Sequence, residues 1–492
     1  MCVTKDERKL IYADNAATTR MSEAAKAAML ECIDECFGNP SAMHPAGQKA
    51  AMELMRSRRI MAEHLNCLPN EIYFTSGGSE SDNQALISAA AAGDAKGCRH
   101  IISVETEHHA VLNTLKKLEK QGFEVTLLRP DEEGFISPEQ VEAAIKEDTA
   151  LVSVMYANNE IGTIAPVADI GRICRERGVV FHTDAVQAAG AIDIDVKAQD
   201  IDMLSLSAHK FHGPKGIGLL YARRGTELVS LIEGGAQERG RRAGTENLPA
   251  IAGMAAAFSE ACINRQENTI KTAQLRDYVI SRLSEIPGAV LNGPAPQKLR
   301  SDCQGAFDKD APSSADKAGS GGSRSGVSRP AGAEEKNSCI SHSKLSSHGS
   351  PDAALRLPGN VSFCFEGVNS ESLLLQLSQH GICASAGSAC MSGSIEPSHV
   401  MLAIGRSREL ASGSLRLTFS AENTMEEAEL ILLVADGGAE WTREDADLAL
   451  AVADTGKPWV LVWSKADLEK RAAAADMSGA DAPPVVEVSA KT

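Results

Sequence analysis

Residues 201–218 read IDMLSLSAHKFHGPKGIG, a stretch that combines a strand pattern with a candidate catalytic lysine. Its apolar half predicts a short β-strand, and the glycines and proline that follow turn the chain sharply. Lys210 lies just past the predicted strand end, beside two histidines. An amine held there, with its pKa lowered by desolvation or by a neighbouring cation, can form a Schiff base with an aldehyde cofactor. Because most lysines are solvated surface residues, this interpretation depends on what surrounds the strand.

Short apolar runs on both sides of this stretch alternate with helical segments. The runs are EIYFTSG (71–77), HIISVET (100–106), FEVTLLRP (123–130), ALVSVMYANN (150–159), VVFHTDA (179–185) and GIGLLYAR (216–223). Strands that alternate with helices predict an α/β fold whose mostly parallel sheet is covered on both faces. Several runs end in polar residues, as in TDAVQ (183–187) and SAHK (207–210). Since the carboxyl ends of parallel strands meet at one edge, these residues predict a single site there.

Three further features suit a cofactor with a phosphate group and a pyridine ring. Asp184 ends an apolar run, where a carboxylate can pair with a protonated pyridine nitrogen, although a helix N-cap explains it as simply. TSGGSESDN (75–83) offers backbone N–H groups and the Ser79 hydroxyl at a predicted helix N-terminus, which suits a phosphate, although many turns look similar. His108, in ETEHHAV (105–111), could stack on such a ring or fill a structural role.

A second informative stretch, HGICASAGSACMSGSIEPSHVMLAIG (380–405), contains Cys390 among small and polar residues. Small neighbours leave a thiol accessible, and a thiolate there can act as a nucleophile if its pKa is lowered or a base approaches. Most cysteines are buried small hydrophobes instead. Cys364 and Cys383 fit that description better than Cys390 does.

Composition narrows the class of protein. The 492 residues carry 49 basic and 66 acidic side chains, a net charge of −17, which argues against a broad nucleic-acid-binding surface. No run approaches the length of a membrane span, and the N-terminus lacks an apolar signal core, so we expect a cytoplasmic protein. The 12 cysteines show no CxxC spacing, so no structural metal site is expected.

Ten motifs, in order along the chain from residue 11 to about 427, resemble those of the cysteine desulfurases, a branch of the fold type I pyridoxal-phosphate enzymes. They are YADNAATT, FGNPSAMH, FTSGGSESDN, TEHHAVL, NNEIGT, HTDAVQ, SAHKFHGPKGIG, GGAQERGRRAGTEN, SAGSACMSGS and EPSHVMLAIG. The long stretch around Cys390 is similar to the subgroup with an extended catalytic loop, which serves iron–sulfur assembly and tRNA thiolation. The resemblance implies a homodimer that converts L-cysteine to L-alanine and passes the sulfur, as a persulfide, to acceptor proteins.

The resemblance also implies a role for each matching residue. Lys210 would carry pyridoxal 5'-phosphate and move protons, His108 would stack on its ring, and Cys390 would attack the substrate sulfur. The remaining cofactor contacts would come from Gly78, Ser79, Asn159, Asp184, Gln187, Ser207, His209 and Thr245. Thr245 would reach the phosphate across a dimer interface. Arg416, helped by Asn39 or Asn159, would bind the substrate carboxylate as a bidentate fork.

Two segments depart from the family pattern. Residues 298–355 are rich in Ser, Gly, Ala, Lys and Asp, which predicts a disordered low-complexity insertion. It would separate a large cofactor domain (1–260) and the start of a small domain (261–297) from the rest of the small domain (356–427). Residues 428–492 resemble part of the GTPase domain of the tRNA wobble-uridine-modifying GTPase, through SKAD (464–467) and SAKT (489–492). Since the chain lacks the GxxxxGK[ST] phosphate loop, we expect no appreciable GTP binding or hydrolysis.

Two alternatives to the desulfurase remain at this point. One is another fold type I enzyme, such as a selenocysteine lyase or an aminotransferase-like enzyme, although an aminotransferase needs no thiol. The other is a catalytically impaired scaffold or adaptor linked to tRNA modification, against which the intact lysine and cysteine motifs count.

Overall fold

A computed structural model describes residues 10–296, 355–379, 381–387 and 397–428, together with the backbone of three strands between residues 431 and 487. The strands are β1 (Ile11–Tyr12), β2 (Ile72–Thr75), β3 (His100–Val104), β4 (Glu124–Leu128), β5 (Thr149–Ser153), β6 (Val180–Asp184), β7 (Met203–Ser207), β8 (Gly218–Ala222), β9 (Ala289–Leu291), β10 (Asn360–Phe365), β11 (Ile382–Cys383), β12 (Ser414–Thr418), β13 (Ile431–Ala435), β14 (Trp459–Trp463) and β15 (Val485–Glu487).

The helices are α1 (Glu23–Glu35), α2 (Pro45–His64), α3 (Gly78–Asp94), α4 (His109–Glu119), α5 (Pro138–Ala144), α6 (Val167–Arg177), α7 (Gln237–Gly240), α8 (Leu248–Ile263), α9 (Arg265–Leu283), α10 (Ser370–Gln379), α11 (His399–Ala403), α12 (Arg408–Ala411) and α13 (Met425–Ala428). Short 3₁₀ turns cover Pro69–Glu71 and Ala208–Lys210. None of the helices in the described residues is long and apolar enough to cross a membrane.

The central sheet has seven strands in the order β2-β8-β7-β6-β5-β3-β4. All neighbours pair in parallel except β8, which is antiparallel to both β7 and β2. The predicted α/β fold with a mostly parallel seven-stranded sheet is therefore confirmed. Every residue of β3, β5, β7 and β8 is buried, as expected for strands covered on both faces.

Apolar side chains pack on each face of this sheet. Alternate residues of a strand point to opposite faces, so Leu219 and Leu220 of β8 belong to two different clusters. The Leu219 cluster includes Phe181 and Phe258, whereas the Leu220 cluster includes Leu86 of α3. With the strands fixed between these clusters, the loops at their carboxyl ends are held in place.

Two smaller sheets complete the family-like part of the chain. One is antiparallel, in the order β12-β10-β9, and the other joins β1 to β11 in parallel. A bridge between Asp14 and Thr418 extends the contact of the N-terminal segment with the end of β12. The predicted domain boundaries stay predictions.

Arg356 joins the two chain ends that flank the predicted insertion. Its buried guanidinium donates to the carbonyl oxygens of Asn292 (2.7 Å) and Pro294 (3.0 Å) on one side. On the other side it donates to the carbonyl (2.9 Å) and side-chain (3.1 Å) oxygens of Asn360. Burial lowers the pKa of Arg356 to about 9. The insertion itself lies outside the described residues.

The tail contributes β13, β14 and β15, which pair in parallel in that order. The SKAD and SAKT motifs lie outside the described residues.

Candidate active site

The carboxyl edge of the central sheet gathers most of the predicted site residues. Asp184 ends β6, Ser207 ends β7, and Lys210 lies in the 3₁₀ turn that follows β7. His108 is the N-cap of α4, and Gly78 is the first residue of α3. A parallel sheet brings these ends together because neighbouring strands share one direction.

The Lys210 ammonium is held by the N-terminal segment of the chain. Its Nζ atom donates to the carbonyl oxygens of Ala16 and Ala17 (2.9 Å). Gln187 donates from Nε2 to the same Ala16 oxygen at 2.9 Å. The lysine and the amide are therefore oriented by one short segment, on the side of the sheet edge where β6 and β7 end.

Asp184 forms the buried acidic floor of this edge. Its Oδ1 atom accepts from the Val186 backbone N–H at 2.9 Å. Burial raises the pKa of Asp184, while the charges of His108 and Lys210 and the bond from Val186 act to lower it. A buried carboxylate with the Lys210 ammonium nearby can hold a proton on an aromatic nitrogen placed against it.

Asp82 on α3 is a second buried carboxyl that the sequence did not point to. One side-chain atom each of Asp82, His108 and Asp184 lie within 4.8 Å of one another. Burial and then the charge of Asp184 raise the pKa of Asp82, and its Oδ1 atom has no hydrogen-bond partner among the described residues. The nearby imidazole of His182 is no source of charge, since burial lowers its pKa to about 3. The sequence signal that could have identified Asp82 is its position on the face of α3 that carries the buried residues.

Glu107 is a third buried carboxyl close to the same site. Its Oε1 atom accepts from the Met155 N–H at 2.6 Å, and its pKa is raised by burial and by Asp184. Its backbone carbonyl lies 3.0 Å from Nε2 of His399. Glu107 therefore connects Met155 and His399 at this edge of the sheet.

The other end of the site is suited to a phosphate. A Cβ atom placed on Gly77 would lie 3.8 Å from the Ser207 hydroxyl oxygen, so β7 ends against the start of α3. The N-terminus of α3, which carries Gly78 and Ser79, has no side-chain cap, and uncapped N–H groups at a helix start favour an anion. His209 is near, with Nδ1 3.1 Å from the Thr18 hydroxyl, and burial followed by the Lys210 charge lowers its pKa to about 4.

Space at this end depends on a glycine. A Cβ atom on Gly78 would lie only 2.8 Å from Cγ2 of Val186. The helix start therefore approaches the β6 loop as closely as a residue without a side chain allows. Donors at one end and a buried carboxylate at the other fit a cofactor with a phosphate and a ring nitrogen.

Arg416 on β12 is almost fully buried, with 2% of its side chain exposed. Its Nη1 donates to the carbonyl oxygens of Asn159 (3.1 Å) and Gly387 (3.3 Å), and its Nη2 donates to Oδ1 of Asp14 at 3.0 Å. Its Nε–H has no partner among the described residues. The structure thus brings Asn159 to Arg416 through its backbone oxygen.

Two predicted residues are not gathered at this edge. Asn39 is exposed, and its side chain accepts from the Ser41 N–H at 2.9 Å in a local turn. Thr245 is exposed as well, and it makes no hydrogen bond to Ser79, Ser207 or His209 in the part of the chain that the structure describes. The contact of Thr245 across a dimer interface and the contact of Asn39 with the substrate both stay predictions.

Cys390 lies outside the described residues, which stop at Gly387 and resume at Pro397. Cys364 on β10 is fully buried, and its sulfur accepts from Asn292 Nδ2 at 3.3 Å, in agreement with the prediction of a structural residue. The eight cysteines that the structure describes are all free thiols.

Comparison with known proteins identifies the family of the chain. The family profile of the class-V aminotransferases matches residues 11–314 and 333–431. The cysteine desulfurase IscS of Clostridium botulinum is 43% identical over 427 residues, which cover 87% of this chain and 93% of that protein. IscS of Methanosarcina thermophila is 43% identical over 428 residues, covering 87% and 91%.

Two solved structures are also similar. A NifS-like protein superposes with a TM-score of 0.69 at 33% identity, covering 86% of this chain and 96% of that one. SspA in complex with cysteine gives a TM-score of 0.60 at 34% identity, covering 83% and 98%. The residues that the family profile matches include those of the site described above, from Asp14 to Arg416.

Proposed function

The chain belongs to the cysteine desulfurases of the class-V aminotransferase family, and from that premise we propose that it converts L-cysteine to L-alanine with Cys390 as the sulfur acceptor. The observation that carries the proposal is the convergence of Lys210, Asp184 and His108 beside the start of α3. SspA, a structural relative, is known in complex with cysteine, which supports cysteine as the substrate here.

The cofactor is pyridoxal 5'-phosphate, which supplies an electron sink that stabilises a carbanion at the substrate α-carbon. Gly78, Ser79, Ser207 and His209 would hold its phosphate, and His108 would cover its ring. Asp184 would hold the proton on the ring nitrogen. Gln187 would contact the ring hydroxyl. The carbonyl oxygen of Ala16 already orients the Gln187 amide by accepting from its Nε2 atom.

Lys210 would carry the cofactor and move the proton of the substrate α-carbon. The carbonyl oxygens of Ala16 and Ala17 keep its amine at the sheet edge, where it would reach the cofactor and the substrate. Arg416 would bind the substrate carboxylate, which fixes the substrate with its amine toward the lysine. Asn159 orients that guanidinium through its carbonyl oxygen.

Cys390 would then take the sulfur. Its thiolate forms a sulfur–sulfur bond while the carbon–sulfur bond of the substrate breaks, which leaves a persulfide on the enzyme. The substrate β-carbon gains a proton and leaves as part of alanine. A thiol acceptor would remove the outer sulfur and return Cys390 to its starting state.

Alanine release from L-cysteine in the presence of a thiol tests this proposal. Replacing Cys390 with Ala should abolish sulfur release but preserve cofactor binding and the absorbance change on adding cysteine. Cys364→Ala is the matched control, and it should lower stability while leaving the persulfide on Cys390. A Cys390→Ala variant that still turns over cysteine would contradict the proposal.

A homodimer would complete the site. Exposed apolar side chains cluster on α1, α2 and the loop between them, and they are Leu30, Ile33, Phe37, Met43, Met52 and Met55. Phe37 is 80% and Met43 93% exposed, which favours burial against a second copy. Phe37→Asp should then produce monomers in sedimentation and weaken cofactor binding, because Thr245 of one subunit would reach the phosphate of the other.

The persulfide would supply iron–sulfur cluster assembly, tRNA thiolation or both, in the cytoplasm. Selenocysteine lyase activity is the alternative substrate class, and Cys390 favours cysteine because a lyase for selenium needs no attacking thiol. The ratio of kcat/KM for L-cysteine and L-selenocysteine separates the two. A ratio that depends on Cys390 supports the desulfurase.

The tail would bind guanine nucleotides weakly or not at all, since the chain lacks a phosphate loop. The family match ends at residue 431, where the three parallel strands of the tail begin. Calorimetric titration of the intact chain with GTP tests this, and micromolar affinity would contradict it. Removing residues 428–492 would show whether desulfurase activity depends on the tail.

A further inference from the structure

The ion pair between Asp14 and Arg416 places an internal carboxylate on the residue that would bind the substrate carboxylate. Oδ1 of Asp14 lies 3.0 Å from Nη2 of Arg416. The guanidinium is 2% exposed, but the aspartate side chain is 19% exposed, so the pair is open only on the aspartate side. An incoming anion therefore meets Asp14 before it meets Arg416.

The other acceptors of Arg416 are less easily replaced by a ligand. Asn159 and Gly387 offer neutral backbone carbonyl oxygens that are fixed by the chain. Glu160 is close enough for Arg416 to lower its pKa, yet its Oε2 is occupied by the Ser398 hydroxyl. Among the described residues, Asp14 is thus the carboxylate that is hydrogen-bonded to the guanidinium, and it has the charge and shape of the substrate group.

The position of Asp14 also connects it to the lysine. Its neighbours Ala16 and Ala17 accept from Lys210 Nζ, and Asp14 itself bridges to Thr418 beside Arg416. One segment of four residues therefore contacts both the amine that would carry the cofactor and the cation that would bind the substrate. An amino acid, with its amine and carboxylate on one carbon, has to fit between the same two groups.

We propose that Asp14 is a displaceable placeholder carboxylate, which occupies Arg416 in the absence of substrate and gives way to the carboxylate of an incoming amino acid. This rests on the substrate role of Arg416 proposed above. A ligand with a carboxylate exchanges one anion for another at Arg416, so the buried guanidinium is never left without a counter-charge. A simple amine cannot make this exchange and leaves the pair closed.

Binding of L-alanine and ethylamine to the holoenzyme, followed by the cofactor absorbance, tests the proposal. Alanine carries both groups without a thiol, and ethylamine lacks only the carboxylate. Asp14→Asn removes the competing charge, so the Kd of alanine should fall on the order of tenfold while that of ethylamine stays unchanged. Asp14→Glu keeps the charge and should keep the parental Kd. Asp94→Asn is the matched control, because it breaks an exposed pair with Arg99.

A second readout uses cofactor-free protein and sodium acetate. Asp14→Asn leaves Arg416 without its anion, so acetate should raise the melting temperature of this variant more than that of the parent or of Asp94→Asn. A higher Kd of alanine in Asp14→Asn would show that Asp14 only holds Arg416 in place, and it would overturn the proposal. An equal effect of acetate on all three proteins would also overturn it.

The parent and Arg416→Lys distinguish failure of this inference from failure of the proposed function. If the parent releases alanine from cysteine and Arg416→Lys weakens alanine binding, a negative result with Asp14→Asn concerns Asp14 alone. If Arg416→Lys binds alanine as the parent does, the substrate role of Arg416 is wrong, and the role of Asp14 is overturned with it.

Discussion

Asp82 and Asp184 show how position divides two identical side chains between two roles. Both are buried, and burial raises the pKa of each. His108 and Lys210 oppose this shift at Asp184, whereas the charge of Asp184 adds to it at Asp82. We therefore expect Asp82 to carry a proton while Asp184 carries the negative charge.

Replacing Asp82 with Asn should stabilise the protein relative to the parent as the pH rises. A carboxyl whose pKa is raised on folding contributes stability at low pH, and that contribution is lost as the pH rises through the folded pKa. The amide has no proton to lose, so the difference in the free energy of unfolding should grow from about pH 4 upward. Urea unfolding at a series of pH values measures it.

Asp94→Asn is the comparison variant, because the pKa of Asp94 is lowered in the folded protein whereas that of Asp82 is raised. A hydrogen bond from Arg99 lowers the pKa of Asp94, so the stability this exposed carboxylate contributes is lost as the pH falls. Asp94→Asn should lower the free energy of unfolding only slightly, and only at pH values above the pKa of Asp94 in the folded protein. If the difference between Asp82→Asn and the parent does not change with pH, Asp82 is not the protonated partner.

Some site residues could be located from the sequence and others could not. Lys210 and Asp184 follow apolar runs directly, so their place at a strand end is a local property of the sequence. Asp82, Glu107 and Asp14 are buried or paired by residues far along the chain, and a carboxyl in a helix or loop usually reads as solvated. Their roles needed the three-dimensional structure.

At the scale of an element, the start of α3 depends on Gly78. Gly78→Ala places a methyl group 2.8 Å from Cγ2 of Val186, so the helix start has to move away from the β6 loop. We expect cofactor affinity to fall about tenfold, because helix N–H groups bind an anion only at short range. Fluorescence titration of the cofactor-free protein measures the affinity.

The double variant Gly78→Ala with Val186→Ala is the control, since it removes the Cγ2 atom of Val186 with which the new methyl group would clash. It should recover most of the lost affinity. Equal losses in the single and double variants would mean that the effect does not come from this contact.

The turn at α7 is held by a buried ion pair. Glu238 accepts from Nη2 (2.6 Å) and Nη1 (2.9 Å) of Arg58 on α2, and both side chains are at most 6% exposed. Glu238 and Arg239 adopt φ values of 45° and 58°, which residues with side chains rarely adopt. The ion pair therefore fixes a strained turn seven residues before Thr245.

Glu238→Gln should destabilise the fold by about 3 kcal/mol, because it leaves the Arg58 charge buried without a counter-charge. Urea unfolding measures the loss. Arg58→Met together with Glu238→Met should cost less than Glu238→Gln alone, since no uncompensated charge remains. A single variant as stable as the parent would show that water reaches Arg58.

In the molecule as a whole, Arg356 links the chain segments that precede and follow the predicted insertion. Replacing residues 298–352 with a short Gly/Ser linker should therefore preserve alanine release and shift the melting temperature by no more than a few degrees, since loop length changes closure entropy only slowly. Arg356→Met, in contrast, should lower the melting temperature, because four acceptor oxygens of the flanking chain lose their donor. A shortened chain that does not fold would show that the insertion supports the core.

The alternation of strands and helices predicted the central sheet, because each strand pairs with partners that share its local pattern. The pairing of β1 with β11 was not predictable in this way, since two residues near the start meet two near residue 382. Strands of two residues carry too little pattern to be recognised alone. Their pairing depends on the whole fold.

These contacts set an order of events during protein synthesis. The Ala16 N–H donates to the Thr418 hydroxyl, and Asp14 meets Arg416, across a separation of 402 residues in each case. At about 5–20 residues per second, a ribosome needs roughly 20–80 s to pass from one partner to the other. The central sheet can form during that interval, before Arg416 and Thr418 are available to the N-terminal segment. A nascent chain therefore contains Lys210 well before Arg416, so the contact between Asp14 and Arg416 forms only after the strands of the central sheet have been synthesised.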